Sequence, residues 1–333
     1  MQTSAPPAVA QSSPAADTLI RVDGLRLRFG ERAALDGLSF HVDAGEIVGL
    51  LGPNGAGKTT TLSLLATLLR PDAGTVELGG LEVSTHAAQA RRILGLVPQT
   101  LAVYPTLTAA ESVAFFARLV GLRGAAARTA VAEALALVGL EDRRHDIVAT
   151  FSGGMQRRLN LACGVLHRPR VLLLDEPTVG VDPQSRERIF VAVQEQARRG
   201  AAVLYSTHYL EEAERLCDRV VLIDHGRVVT AGAPAALIRA AGHGLRLDLI
   251  TRGALPAGWL DGLAGVAALA GFTGTDLPPA RGATAHVVLD TLATAPRVLE
   301  RAATLGGEVL EFHLHQPDLQ DVFITLTGRD LRD

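Results

Sequence analysis

The 333-residue chain has only two cysteines, Cys163 and Cys217, and no CxxC or Cys/His cluster. That excludes a disulfide framework or a zinc site as its organising element. It lacks any uncharged apolar run approaching the ~18–20 residues of a membrane span, although 48% of its residues are apolar. Nor does a basic segment followed by an apolar stretch open the chain. The first basic residue is Arg21, and residues 1–17, rich in Pro, Ala, Ser and Gln, read as a disordered tail. A net charge of −3 leaves no basic footprint for a broad nucleic-acid surface. The chain is therefore expected to be cytoplasmic, without a nucleic-acid partner, and to reach a membrane only through another subunit. Lysine is the scarcest cation. Lys58 is the only lysine among 32 basic residues, which marks a place needing a slim point charge rather than the planar fork of arginine.

What the chain does contain is alternation. Residues 19–23, 25–29 and 38–42 alternate apolar and polar side chains with turn residues between them, suggesting an antiparallel layer. Residues 46–51 form a short apolar strand that feeds a glycine-rich loop and then a helical run over 59–69. Helical patterns at 109–120 and 125–138 mark an all-helical insertion, and apolar strands resume at 171–175, 202–205 and 220–223. Buried strands alternating with helices imply an α/β fold with a largely parallel sheet. Beyond residue 234 the pattern changes to strands at 245–250, 285–289 and 309–314 and helices at 295–305 and 319–326. A small C-terminal α+β module at 243–333 follows, for which a ferredoxin-like topology is one fit.

The chemistry concentrates in two segments. GPNGAGKT at 52–59 matches the phosphate-loop pattern GxxxxGK[ST] in full, with a strand before it and a helix after it. Glycines let backbone N–H groups close around phosphate oxygens, and the helix adds its positive end. Lys58 is expected at the β- and γ-phosphates of ATP and the Thr59 hydroxyl on Mg²⁺. The second segment, VLLLDE at 171–176, sets Asp175 at the carboxyl edge of the sheet, in the Mg²⁺ shell. Glu176 is the candidate general base for the attacking water.

FSGGMQ at 151–156 resembles the signature motif of ATP-binding-cassette (ABC) ATPases, and further elements of that family occur in family order across residues 18–235. The resemblance implies a P-loop NTPase with an antiparallel β layer and a helical subdomain at about 100–160. It implies nucleotide contacts from Gly52, Asn54, Gly55, Ala56, Gly57, Lys58, Thr59 and Thr60. Gln99 corresponds to the glutamine that touches Mg²⁺ and water, Asp182 to the D-loop aspartate and His208 to the switch histidine. Phe29 stands where the family stacks an aromatic ring on adenine; a core side chain is the competing reading. The usual LSGGQ is altered at Phe151 and Met155, but Ser152, Gly153 and Gly154, the residues able to donate to a phosphate, remain.

In this family one subunit's signature caps the ATP held by another, so the resemblance implies an ATP sandwich, most simply a homodimer. It also implies a separate membrane permease docked on the 99–148 region, where the apolar loop 101–108 suits a contact surface. The chain would then sit at the cytoplasmic face of the membrane. The SGGM variant, the segment VGVDP at 179–183 and the ending at 319–329 are similar to type-two exporter ATPases, the group of daunorubicin-resistance, sodium-extrusion and nodulation-factor ATPases. A soluble ABC ATPase, and a nucleotide-dependent regulator without turnover, are the alternatives. Glu211–Glu212 and Arg157–Arg158 read as solvated helix faces, His313 and His315 as strand neighbours short of a metal site, and Cys163 as a small core hydrophobe.

Overall fold

The computed structural model describes residues 17–240, 244–253, 255–256, 258–268 and 283–327. Apart from Asp17, the tail expected to be disordered lies outside the described residues. In chain order the elements are β1 (Thr18–Phe29), β2 (Arg32–Asp43), β3 (Ile47–Leu51), α1 (Lys58–Leu65), β4 (Ala73–Leu78), β5 (Leu81–Glu82), α2 (Val83–Ala90) and β6 (Leu94–Val97). Next come α3 (Ala109–Leu119), α4 (Gly124–Leu137), α5 (Gly153–Val165), β7 (Val171–Asp175), α6 (Pro183–Arg198), β8 (Ala202–Thr207), α7 (Leu210–Leu216), β9 (Arg219–Asp224) and β10 (Arg227–Gly232). The C-terminal elements are α8 (Pro234–Ala240), β11 (Leu245–Arg252), β12 (Val266–Ala268), β13 (Ala283–Leu289), α9 (Ala295–Thr304), β14 (Glu308–His315) and α10 (Leu319–Thr327).

The chain divides into two compact units, the second being Ala235–Thr325. In the first unit, β1 and β2 form an antiparallel hairpin from Thr18↔Asp43 to Phe29↔Arg32. The two strands expected at 19–23 and 25–29 are one strand, β1. A register shift between Val22 and Leu25 absorbs the turn-like residues between them as a bulge. The sheet order is β2-β1-β4-β5. The second sheet runs β10-β9-β3-β8-β7-β6 and is parallel except for the β9–β10 pair. β3, β7 and β8 are buried at every position, which is why they read as continuous apolar runs rather than alternating ones.

Register fixes what the sheet presents at its carboxyl edge. Leu51 of β3 lies opposite Thr207 of β8, and Asp175 of β7 lies opposite Ser206. The glycine loop, the acidic pair and the loop carrying His208 therefore leave the sheet side by side, where ligands bind in open α/β sheets. The expected helix at 59–69 is shorter. It ends at Leu65 because Ala66 caps it and Thr67 takes a left-handed φ of 63°. α3, α4 and α5 pack on one another. The start of α3 is set by a capping box in which Thr108 accepts from the Glu111 N–H and Glu111 accepts from the Thr108 N–H.

In the second unit the sheet order is β12-β13-β11-β14 and every pair is antiparallel. Leu247, Leu249, Val287, Leu289 and Val298 form its core. The ferredoxin-like expectation meets the strand order and differs in one connection. Counted in chain order, this is the 4-1-3-2 antiparallel order of a ferredoxin-like sheet, with α9 between β13 and β14. Turns around Trp259, not a helix, occupy the described residues after β11.

Both cysteines are free and buried. Burial pushes the Cys163 thiol up to about 12 and the Cys217 thiol further up. Neither is expected to react with a thiol-directed disulfide reagent at pH 8 while the chain is folded, and both react once it is unfolded in guanidinium. Rapid native-state labelling of either thiol would contradict this core assignment.

Candidate functional site

The site begins with backbone geometry that only glycine tolerates. Gly57 has φ 112°, and a Cβ there would lie 2.9 Å from the Ala34 carbonyl oxygen. At Gly52 a Cβ would approach the Ile223 carbonyl oxygen to 2.3 Å. The loop is thereby folded tightly onto β2 and β9. α1 starts at Lys58 with no side-chain cap and no acid in its first turn, so its leading N–H groups are left for an anion. The Lys58 ammonium is buried and donates to the carbonyl oxygens of Gly52 at 2.7 Å and Pro53 at 3.2 Å. Burial lowers its pKa, while the charges of Glu176 and Asp175 oppose that shift.

Above the loop lies a cavity of about 370 Å³ lined by Phe29, Arg32, Ala34, Asn54, Gly55, Gly57, Lys58, Thr59, Thr60, Gln99 and Glu176. Phe29 is 55% exposed, which removes the core reading of that ring and leaves its face open to a ligand. Gly52 and Ala56 are buried in the loop. They shape it without lining the cavity.

The acidic pair divides its contacts. Asp175 Oδ1 accepts from Ser206 Oγ at 2.7 Å and from Thr59 Oγ1 at 3.4 Å. Glu176 turns the opposite way because its backbone is left-handed, with φ 46°, a conformation that costs a non-glycine residue of order 1–3 kcal/mol. Ser206 holds it there, accepting the Glu176 N–H on both its hydroxyl (3.1 Å) and its carbonyl oxygen (3.2 Å). The Glu176 carboxylate then meets Gln99 Nε2 at 3.0 Å, His208 Nδ1 at 3.0 Å and Lys58 Nζ at 3.7 Å. Five side chains from three separate stretches of sequence thus converge on two carboxylates.

Thr59, Asp175 and Gln99 share a smaller cavity of about 180 Å³. A hydroxyl, a carboxylate and an amide are hard oxygen donors suited to Mg²⁺, which keeps water and substrate phosphate as its other ligands. These three residues would hold the ion, and it would supply charge neutralisation at the phosphates when bound.

Ser152, Gly153, Gly154 and Asp182 do not line either cavity. Ser152 and Gly153 are exposed, and Ser152 caps α5 by accepting from the Met155 N–H at 3.2 Å. Asp182 caps α6 by accepting from the Ser185 N–H at 2.9 Å, a bond that holds its carboxyl below the usual range. A Cβ on Gly154 would strike Asp182 Oδ2 at 2.5 Å, so the signature helix and the D-loop pack closely against each other. Phe151 is buried.

Two sequence readings are corrected. Arg157 and Arg158 are not a solvated face: Arg157 donates to the Gln99 carbonyl, and Arg158 donates to the Val138 carbonyl at 2.9 Å. Glu212 is 2% exposed, unlike its exposed neighbour Glu211. Ser206 was also missed as a site residue, since a serine at a strand end carries no signal of its own until register sets it beside Asp175. His315 pairs with Asp248 at 3.0 Å, and among the described residues no cluster of three or more His, Cys, Asp or Glu side chains is arranged for a metal.

A family model described as "ABC transporter" matches residues 35–179. The linearmycin resistance ATP-binding protein of Bacillus subtilis is 36% identical over 320 residues, covering 95% of this chain and all of that protein. A Nod factor export ATP-binding protein of Burkholderia orbicola is 42% identical, covering 92% and 96%. A daunorubicin resistance ATP-binding protein of Streptomyces coeruleorubidus is 39% identical, covering 95% and 98%. Among solved structures, an ATP-binding subunit of an ABC transporter aligns with a TM-score of 0.62 at 33% identity, over 68% of this chain and 94% of that one.

Lys58 is a buried ammonium lining the cavity, where the sequence places a phosphate contact. Charge-assisted hydrogen bonds contribute about 1.5–3 kcal/mol each, so Lys58→Ala is expected to weaken ATP binding by roughly 10- to 100-fold or more. Calorimetric titration of the purified chain checks this, and unchanged affinity would contradict it.

Proposed function

The chain belongs to the ABC transporter family of ATP-binding proteins, and from that premise we propose that it binds and hydrolyses ATP to power export through a separate membrane permease. The observation that carries the ATPase reading is the Glu176 carboxylate, gathered by Lys58, Gln99 and His208 beside the glycine loop. Export over a soluble role is supported by relatives named for drug resistance and Nod factor export that align along nearly the whole chain. The cargo itself is set by the permease.

In the proposed reaction the adenine stacks on Phe29 and the phosphates lie on the loop N–H groups and the start of α1. The γ-phosphate takes the Lys58 ammonium, replacing its pairing with Glu176. The freed carboxylate accepts a proton from a water positioned by Gln99. That water oxygen bonds to the γ-phosphorus, and the bond to the β,γ-bridging oxygen breaks, giving ADP and phosphate. His208 lies within reach of the same carboxylate and would contact the transferred group.

The exposed Ser152 and Gly153 supply no contact to the cavity of their own chain. The site is completed when the signature of a second copy closes over the nucleotide, as a head-to-tail pair.

No described helix is long and apolar enough to cross a membrane, and in this reading the permease supplies the attachment. The surface proposed for it is a groove of about 820 Å³ between α3 and α4. Ala114, Leu122 and Val131 line it together with Arg118, Arg123 and Arg128. Beside it, the Tyr104 and Phe115 rings pack edge to face at 5.1 Å and remain partly exposed, in keeping with an interaction surface.

Two outcomes are expected. Glu176→Gln keeps the side-chain shape but not the base, so phosphate release should fall at least ~100-fold while ATP stays bound; turnover within a few-fold of wild type would overturn the base assignment. Arg118→Glu combined with Arg123→Glu should abolish co-purification with a co-expressed permease partner and leave ATP affinity unchanged. Undiminished co-purification would exclude the groove.

A further inference from the structure

Glu212 of α7 is a buried carboxylate that the reaction above does not use. Its Oε2 accepts from three hydroxyls: Thr178 Oγ1 at 2.8 Å, Tyr205 Oη at 2.9 Å and Thr207 Oγ1 at 3.1 Å. Its Oε1 faces Arg186 Nε at 3.3 Å. Burial, and next the Glu212 charge, push the Tyr205 phenol well above its ordinary value, so Tyr205 stays a donor. Stability alone is a poor account of such a group. Replacing a buried ion pair by packed apolar side chains is often neutral or stabilising.

The positions of the partners suggest a different account. Thr207 immediately precedes His208, and its hydroxyl also accepts the Tyr209 N–H at 2.9 Å, bracketing the histidine from both sides. Thr178 lies two residues after Glu176. Arg186 is on α6, the helix capped by Asp182, and its guanidinium sits 5.9 Å above the Tyr209 ring. One carboxylate therefore joins the loop after β7, the end of β8 and the helix behind the D-loop.

We propose that Glu212 is a positioning residue for ATP hydrolysis: it locks the His208 loop to the Glu176 loop, keeps ring and carboxylate at their 3.0 Å separation, and ties both to α6. The proposal rests on the ATPase reading above. Because Glu212 acts through His208, removing it should matter only while His208 is present.

The test is a double-mutant cycle on the full chain, measuring single-turnover phosphate release and ATP affinity for wild type, Glu212→Gln, His208→Ala and the double variant. Glu212→Gln should slow hydrolysis at least ~10-fold with ATP affinity within ~3-fold, and should change the rate less than ~2-fold in the His208→Ala background. Thr207→Val, which removes the link but spares the carboxylate, should behave the same way, and Thr207→Ser should restore the rate. Hydrolysis unaffected by Glu212→Gln and Thr207→Val, or slowed by the same factor with and without His208, would overturn the positioning role and leave the ATPase reading standing. A wild-type chain whose hydrolysis does not depend on Lys58 would overturn the ATPase reading itself. Should Glu212→Gln fail to fold, the Thr207 pair decides the question alone.

Discussion

The Glu176 carboxylate is the contact on which the rest of the site depends. It is nearly buried, and three groups from three separate loops reach it: the ammonium of Lys58, the amide of Gln99 and the imidazole of His208. A charge in that position is tolerable only because the surrounding donors are held ready for it. The fold supplies them through register. Adjacent parallel strands end level with one another, so the segments that follow them leave the same edge of the sheet. The left-handed backbone at Glu176 is the local cost of aiming two successive acids at two different tasks, and the Ser206 contacts with the Glu176 N–H sustain it.

Asp175 and Glu176 are adjacent at the end of β7 yet turn to different partners. Asp175 turns to the hydroxyls of Thr59 and Ser206, a set of hard oxygens, whereas Glu176 turns to nitrogen donors. Arg157 steadies the far side by holding the Gln99 carbonyl. These loops therefore share contacts with the same carboxylate.

Much of this was legible in sequence, for physical reasons that differ by element. The phosphate loop, the acidic strand and His208 were readable because their chemistry demands particular residues at fixed spacing, and Phe29, Lys58, Thr59, Gln99 and Glu176 do meet at one cavity. The buried strands β3, β7 and β8 were readable as apolar runs. β4, β5, α2, β6 and β10 were passed over, being short or mixed in burial. In the second unit β12 was passed over, since three residues are too few to show a period. Glu212 was misread since a glutamate beside another on a short helix looks solvated; only the fold brings Thr178, Tyr205 and Thr207 onto it. Motifs reveal groups that touch the ligand, while groups that hold those groups stay silent until the chain is folded.

The central claim is that this chain carries half of a composite site, with its phosphate loop and its signature facing different nucleotides. The direct measurement is complementation between two inactive variants. Lys58→Ala disables the loop but keeps the signature. Ser152→Asp keeps the cap on α5, because aspartate caps as well as serine, yet sets a negative charge where a partner's phosphate would lie. Each variant alone should be nearly inactive, and an equimolar mixture should recover roughly a quarter of wild-type turnover by the statistics of random pairing in a two-fold dimer. A mixture no more active than its components, or full activity of Ser152→Asp alone, would contradict the account.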